Sequence, residues 1–217
     1  MRNNLRSRID AAVPHRSELP AVSYGNLQKH LNPNPVQRWL LQRFHRRVVD
    51  VVRQAGATGL LDAGCGEGFT LRQLEEAGPA AWRVGADIDR AALAWGRQNR
   101  TTRAPLAAAD LHHLPFADGS FDLVLSLEVL EHLPVPAAGL AELLRVSRRY
   151  VLVSVPHEPW FRGANLLRGK HVAALGNDPG HLHQFDRSAF RRLVAAQAGV
   201  ILHCSAFPWQ LALLAKA

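Results

Sequence analysis

The stretch Leu60-Leu61-Asp62-Ala63-Gly64-Cys65-Gly66-Glu67-Gly68 constrains this chain more than any other. A short apolar run leads straight into an acid and three alternate glycines, so a buried strand must turn at once into a loop. Glycines at such a turn let the backbone take positive φ and let a ligand approach with no Cβ in the way, which is why strand, glycine loop and helix recur at nucleotide sites. The spacing is Gly-x-Gly-x-Gly, not the Gly-x-Gly-x-x-Gly of dinucleotide folds. Asp62 narrows the ligand further. A carboxylate at the mouth of the loop repels a pyrophosphate and suits a ligand carrying an ammonium or sulfonium charge.

Two further acids follow at matching places. Trp82 to Asp89 reads as the next strand, with Asp87 at its carboxyl end, 25 positions after Asp62, where an acid accepts hydrogen bonds from ribose hydroxyls. Asp110 ends the run Ala107-Ala108-Ala109-Asp110-Leu111 and is placed to meet an adenine amino group. A ligand with a sulfonium, a ribose and an adenine is S-adenosylmethionine. The ordered set resembles the class I S-adenosylmethionine-dependent methyltransferases from about Gly59 to Pro156. The resemblance implies an α/β fold: a Rossmann-like seven-stranded methyltransferase sheet with helices on both faces and a final antiparallel hairpin. It also implies cofactor contacts at Asp62, Gly64, Cys65, Gly66, Gly68, Asp87, Ile88, Asp110, Leu111 and Leu127. The competing reading is an unrelated open α/β domain whose strand ends are acidic.

Along the chain, residues 1–35 are polar, broken by Pro14, Pro20, Pro33 and Pro35, and lack a sustained period; they read as an irregular arm or lid. The resemblance implies that residues 36–217 form the methyltransferase domain. Val36, Trp39, Leu40, Phe44, Val48, Val51 and Val52 fall at helical spacing up to Gly56, with arginines on the other face. Helices are expected from Phe69 to Ala77, from about Asp89 through Asn99, from about Ala137 to Val146 and from Arg187 to Ala198. A short strand is expected to reach Asp110. Phe121 to Leu127 is nearly continuous in apolar character, as a central parallel strand must be. Tyr150 to Val155 supplies the fifth strand, and Val200 to Phe207 with Trp209 to Leu214 the closing hairpin. The stretch of about 156–185 is left over; it holds Trp160, Phe161, a helix-like run Ala164 to Arg168 and the turn Gly176-Asn177-Asp178-Pro179-Gly180. Long insertions at this edge commonly recognise substrate.

Glu128-Val129-Leu130-Glu131-His132 follows the fourth strand directly. In a helical turn, Glu128, Glu131 and His132 share one face. Two carboxylates and an imidazole there can hold a divalent cation, with His183 or His181 as a fourth ligand. This pattern resembles two metal-dependent branches of the superfamily, the ubiquinone-pathway O-methyltransferases and the enzymes that methylate the 2′-hydroxyl at small-RNA 3′ ends. The matching positions are Glu128, Glu131, His132 and His183. After Phe185 the RNA enzymes usually have an acid and then tryptophan, whereas Asp186-Arg187 stands here. Carboxylates favour Mg2+; an imidazole shifts preference towards Mn2+ or another transition ion. Without metal, His132 serves as general base, with His157 a second candidate, or the histidine only ties down the loop.

A content of 47% hydrophobic and 20% charged residues excludes a disordered chain. No apolar run suggests a membrane span or a leader, so the expected location is the cytoplasm. Cys65 and Cys204 make neither a disulfide framework nor a cysteine metal cluster. The net charge of +8 keeps RNA or a membrane surface open as partners, although arginine-rich, alanine-rich composition also follows from a high-GC coding sequence. The acceptor is expected to be a small-molecule, glycan-like or lipid-linked hydroxyl compound. RNA 2′-O-methylation is the alternative, and a non-catalytic methyltransferase-like partner subunit is the alternative of another class.

Overall fold

Alternation along the strands decides the architecture. Leu60 and Leu61 are both fully buried, yet they enter different cores, as do Leu123 and Leu125 on one side and Val124 on the other. A strand buried on both faces needs a helical layer above and below. The structure is a computed structural model that describes residues 25–78, 80–167, 175 and 180–216. Its elements in chain order are α1 (Gly25–Leu31), α2 (Pro35–Ala55), β1 (Gly59–Ala63), α3 (Phe69–Ala77), β2 (Trp82–Asp87), α4 (Arg90–Gln98), β3 (Leu106–Ala108), β4 (Phe121–Leu127), a 3-10 turn (Leu130–His132), α5 (Pro136–Val146), β5 (Ser147–Pro156), α6 (Trp160–Leu167), α7 (Arg187–Ala195), β6 (Gly199–Ala206) and β7 (Trp209–Ala215).

The seven strands form one sheet in the order β3-β2-β1-β4-β5-β7-β6, with β7 antiparallel to both its neighbours. The sheet and its closing hairpin are those the resemblance implies. One core lies between the sheet and α2, α3 and α4, the other beneath α5 and α7. At the amino edge, buried Asp122 accepts from the backbone of Thr58 and Gly59, from the Thr58 hydroxyl and from Arg148. One carboxylate thus joins the starts of β1, β4 and β5. The strand order reverses between β1 and β4, and the crevice at that switch is where open α/β sheets bind ligands.

The structure corrects several sequence expectations. Gly25–Leu31, read as part of an irregular arm, is helical. Seven residues are too few to hold a helix alone; tertiary contacts hold this one, with Leu27 buried and the His30 ring stacked on Phe69 at 4.2 Å. The strand expected to reach Asp110 stops at Ala108, and α7 stops at Ala195 rather than Ala198. Gly199 opens β6. The fifth strand starts earlier than expected, at Ser147. Residues 1–24 of the arm and most of the turn 176–180 lie outside the described residues. Among the described residues no helix is long and apolar enough to cross a membrane.

Candidate active site

The glycine loop is built as the sequence demands. Gly64, Gly66 and Gly68 take φ of 87°, 52° and 86°, values that L side chains rarely adopt. Gly64 also permits contact across the switch point, because a Cβ there would lie 2.3 Å from Val129 Cγ2 on the loop after β4. Asp87 orients the loop: its carboxylate accepts from Gly66 N at 2.6 Å and from Asp89 N at 2.8 Å. Asp62 sits behind the loop at 2% exposure, and its Oδ2 has no hydrogen-bond partner among the described residues. Burial, and then the Asp87 charge, push its carboxyl up to about 7. Burial raises Asp87 as well. Two crowded acids of this kind fit a cationic ligand.

Beside the loop, a cleft of about 340 Å3 is lined by Gly64, Asp87, Ile88, Asp110, Leu111 and His132, among others. Of the other residues assigned to the cofactor, Cys65 and Leu127 are buried in the core below α2. Burial pushes the Cys65 thiol far up, so it is no thiolate. Asp110 lies beyond the end of β3 and accepts from His112 N at 2.9 Å, which holds its carboxyl below the usual range. A larger cavity of about 630 Å3 opens on the flank of α3 and α4 around Trp82, Trp95 and Arg100, and includes none of the predicted site residues.

Sequence reading missed the roof of the glycine loop. Asn26 Nδ2 donates to Glu67 Oε2 at 2.5 Å and lies 2.8 Å from where a Cβ on Gly66 would stand. Lys29 Nζ lies 3.9 Å from Glu128 and 4.8 Å from the centre of the Trp209 ring. His30 stacks between Phe69 and His45, and both imidazoles are held well below the usual histidine range, chiefly by burial. Helix α1 therefore packs over the loop through neutral rings. The signal available in sequence was slight: Asn26, Lys29 and His30 at helical spacing, with only Leu27 and Leu31 as apolar positions beside them.

After β4, the expected helical turn does not form across all five residues. Glu128 takes φ of 62°, so the chain leaves the helical region before the short turn Leu130–His132 begins. The Glu128 carboxylate consequently faces Ser154 Oγ at 3.2 Å and Lys29, away from Glu131 and His132, and burial raises it to about 7. Instead, Glu131, His132 and His181 converge, with one ligand atom of each lying within 4.8 Å of the others. His181 arrives because Leu182 N and His183 N both donate to Glu131 O, at 2.9 and 3.0 Å, docking that loop on the turn. His183, two residues on, points elsewhere, with Nε2 3.4 Å from Pro134 O. His132 Nδ1 lies 2.7 Å from Gly180 O; a carbonyl only accepts, so Nδ1 carries a proton, and it is Nε2 that presents a lone pair in the neutral ring. His157 is not in the cleft. It stands near Asp186, Arg187 and His203, and burial lowers its pKa.

Comparison with known proteins agrees with the fold. Residues 61–153 match the family model described as "Methyltransferase domain". A probable S-adenosylmethionine-dependent methyltransferase of Mycobacterium tuberculosis is 36% identical over 157 residues, 71% of this chain and 56% of that protein. A demethylmenaquinone methyltransferase of Beutenbergia cavernae is 32% identical over 120 residues, 54% of this chain and 49% of that protein. The chain thus spans at most 56% of these relatives' lengths. Among solved structures, magnesium protoporphyrin IX methyltransferase from Synechocystis PCC 6803 with bound S-adenosylmethionine superposes with a TM-score of 0.64 at 18% identity, covering 90% of this chain and 92% of that one.

Proposed function

Starting from a chain that carries a class I S-adenosylmethionine-dependent methyltransferase domain, we propose that it O-methylates a small-molecule, glycan-like or lipid-linked acceptor with a divalent cation held by Glu131, His132 and His181. One observation supports this above the others. His132 belongs to the donor cluster and also lines the cleft beside Gly64 and Asp87, so an acceptor held at the cluster stands next to the methyl donor.

The division of labour follows from the side chains. Asp87 holds the glycine loop through Gly66 N and keeps lone pairs for ribose hydroxyls. Asp62 supplies buried negative charge for the ammonium end. One carboxylate and two imidazoles suit Mn2+, or Fe2+, Co2+ or Zn2+, better than Mg2+. A cation on these donors would make an acceptor hydroxyl more acidic. In the metal-free form of the same reading, His132 Nε2 accepts the hydroxyl proton while Gly180 O holds Nδ1–H, a positioned general base. Methyl transfer then asks only that the oxygen be aligned behind the methyl carbon, and positioning supplies much of the rate. The stretch 156–185, which reaches this lip through His181, is assigned to acceptor recognition.

The test is a calorimetric titration of Mn2+ and of Mg2+ into protein saturated with S-adenosylhomocysteine, for wild type and Glu131→Gln. One-site binding, tighter for Mn2+ and lost in the variant, supports the metal-assisted reading. Binding in neither protein withdraws the cation and leaves His132→Ala kinetics to test the base.

A further inference from the structure

Helix α6 turns apolar side chains to the surface. Among its described side chains the exposed positions are Trp160, Gly163 and Leu166, spaced by three so that they share one side, with Trp160 58% and Leu166 40% exposed. Asn165 in the same helix is buried at 4%, as is Glu158 just before it at 7%. An ordinary surface helix does the reverse.

The neighbourhood repeats the pattern. Among the described residues, eleven large hydrophobic side chains are exposed, and nine lie at the carboxyl edge of the sheet, where the cleft opens; Trp82 and Ile201 are the two elsewhere. The nine include Val36, Trp39, Leu182 and Phe207 besides Trp160 and Leu166. They belong to connected elements. His157 N donates to Pro208 O at 2.9 Å, which ties the start of α6 to the β6–β7 turn carrying Phe207. Phe161 of α6 lies 5.6 Å from His181, beside Leu182, and packs on the core that contains Phe44 of α2 and Trp209. The amino end of α2 faces the same edge, since its carboxyl end feeds the start of β1.

Charge identifies what covers this edge. Residues 35–47 of α2 carry four exposed arginines, Arg38, Arg43, Arg46 and Arg47, and no acid. The Arg43 guanidinium lies 4.8 Å over the exposed Trp39 ring. Tryptophan and aliphatic side chains beside uncompensated arginines are the composition of a surface lying at a lipid interface, where rings sit at headgroup level and guanidinium groups meet anionic lipids. RNA offers the same charge, but Val36, Leu166 and Leu182 have no π face for a base to stack on.

We propose that the carboxyl edge formed by α6, the amino half of α2 and the β6–β7 turn docks on an anionic lipid surface and presents the cleft to a lipid-linked acceptor. The proposal rests on the O-methyltransferase reading above and selects among its acceptors.

The experiment is flotation of the full chain with vesicles of phosphatidylcholine alone and of phosphatidylcholine with phosphatidylglycerol, with S-adenosylhomocysteine binding measured in parallel by calorimetry. Wild type is expected to float only with the anionic vesicles, and less so as salt is raised. The double variant Trp160→Ser, Leu166→Ser is expected to lose flotation at unchanged S-adenosylhomocysteine affinity. Arg43→Gln and Arg47→Gln should each weaken it about fivefold. Wild-type protein that ignores anionic vesicles, or flotation indifferent to the Trp160 and Leu166 changes, overturns the proposal. So does single-stranded RNA that binds through the arginines alone and displaces the vesicles. Retained S-adenosylhomocysteine binding in those cases leaves the methyltransferase reading intact, whereas its loss in wild type would sink that reading separately.

Discussion

Asp62→Asn separates what the glycine loop costs the fold from what it gives the cofactor. Asp62 is a buried carboxylate with an unpartnered oxygen among the described residues, raised from 3.8 to about 7 by burial and then by Asp87. Because the folded value is raised, the folded state binds the proton more tightly than the unfolded chain. Stability of the unliganded protein therefore falls as pH rises from the unfolded value through the folded one, by a total on the order of 4 kcal/mol. A cationic cofactor end reverses the sign, since it binds the ionised acid. A single group titrating near 7 makes affinity rise about eightfold between about pH 6.0 and 7.5. The asparagine removes both effects. At neutral pH the unliganded variant should melt roughly 8–16 °C above wild type, at about 2–4 °C per kcal/mol for a domain of this size. Its S-adenosylhomocysteine affinity should drop roughly 10- to 100-fold for the lost charge-assisted hydrogen bond and become flat with pH. Differential scanning calorimetry and isothermal titration across the pH range read the two halves. A variant that melts at or below wild type, or a wild-type affinity that does not change with pH, refutes the reasoning.

Two other substitutions test how the site is held. Asp122→Asn should cost about 3 kcal/mol in urea unfolding, because the partners at Thr58, Gly59 and Arg148 lose a buried carboxylate; its depressed pKa means wild type loses that stability as pH falls below the unfolded carboxylate value, and the variant lacks this acid-dependent term. Gly96→Ala places a Cβ 2.5 Å from the Glu67 carbonyl oxygen, a backbone atom that yields only if α4 moves off the glycine loop. It should cost about 1–3 kcal/mol and weaken S-adenosylhomocysteine binding, measured by calorimetry. Gly163→Ala meets nothing within 4 Å inside α6 and should instead stabilise by about 0.5–1 kcal/mol while leaving S-adenosylhomocysteine binding unchanged.

Much of this protein was legible in its sequence because the relevant physics is local. A run such as Phe121 to Leu127 is buried on both faces wherever it lies in a sheet, and Gly64, Gly66 and Gly68 announce positive φ by themselves. Acids at the ends of successive parallel strands converge through the topology, so Asp62 and Asp87 could be placed together before any coordinates. The donor cluster could not. Glu128 leaves it through one left-handed residue, and the partition between His181 and His183 depends on two backbone hydrogen bonds to Glu131, about fifty residues away in the chain. These two histidines, two residues apart in an irregular loop, point to different sides, and sequence spacing carries no record of which side meets the cleft. Helix α1 belongs to the same class: its seven residues have too little intrinsic helix stability, and only Phe69, His45 and Glu67, drawn together by the sheet, decide that it folds over the glycine loop.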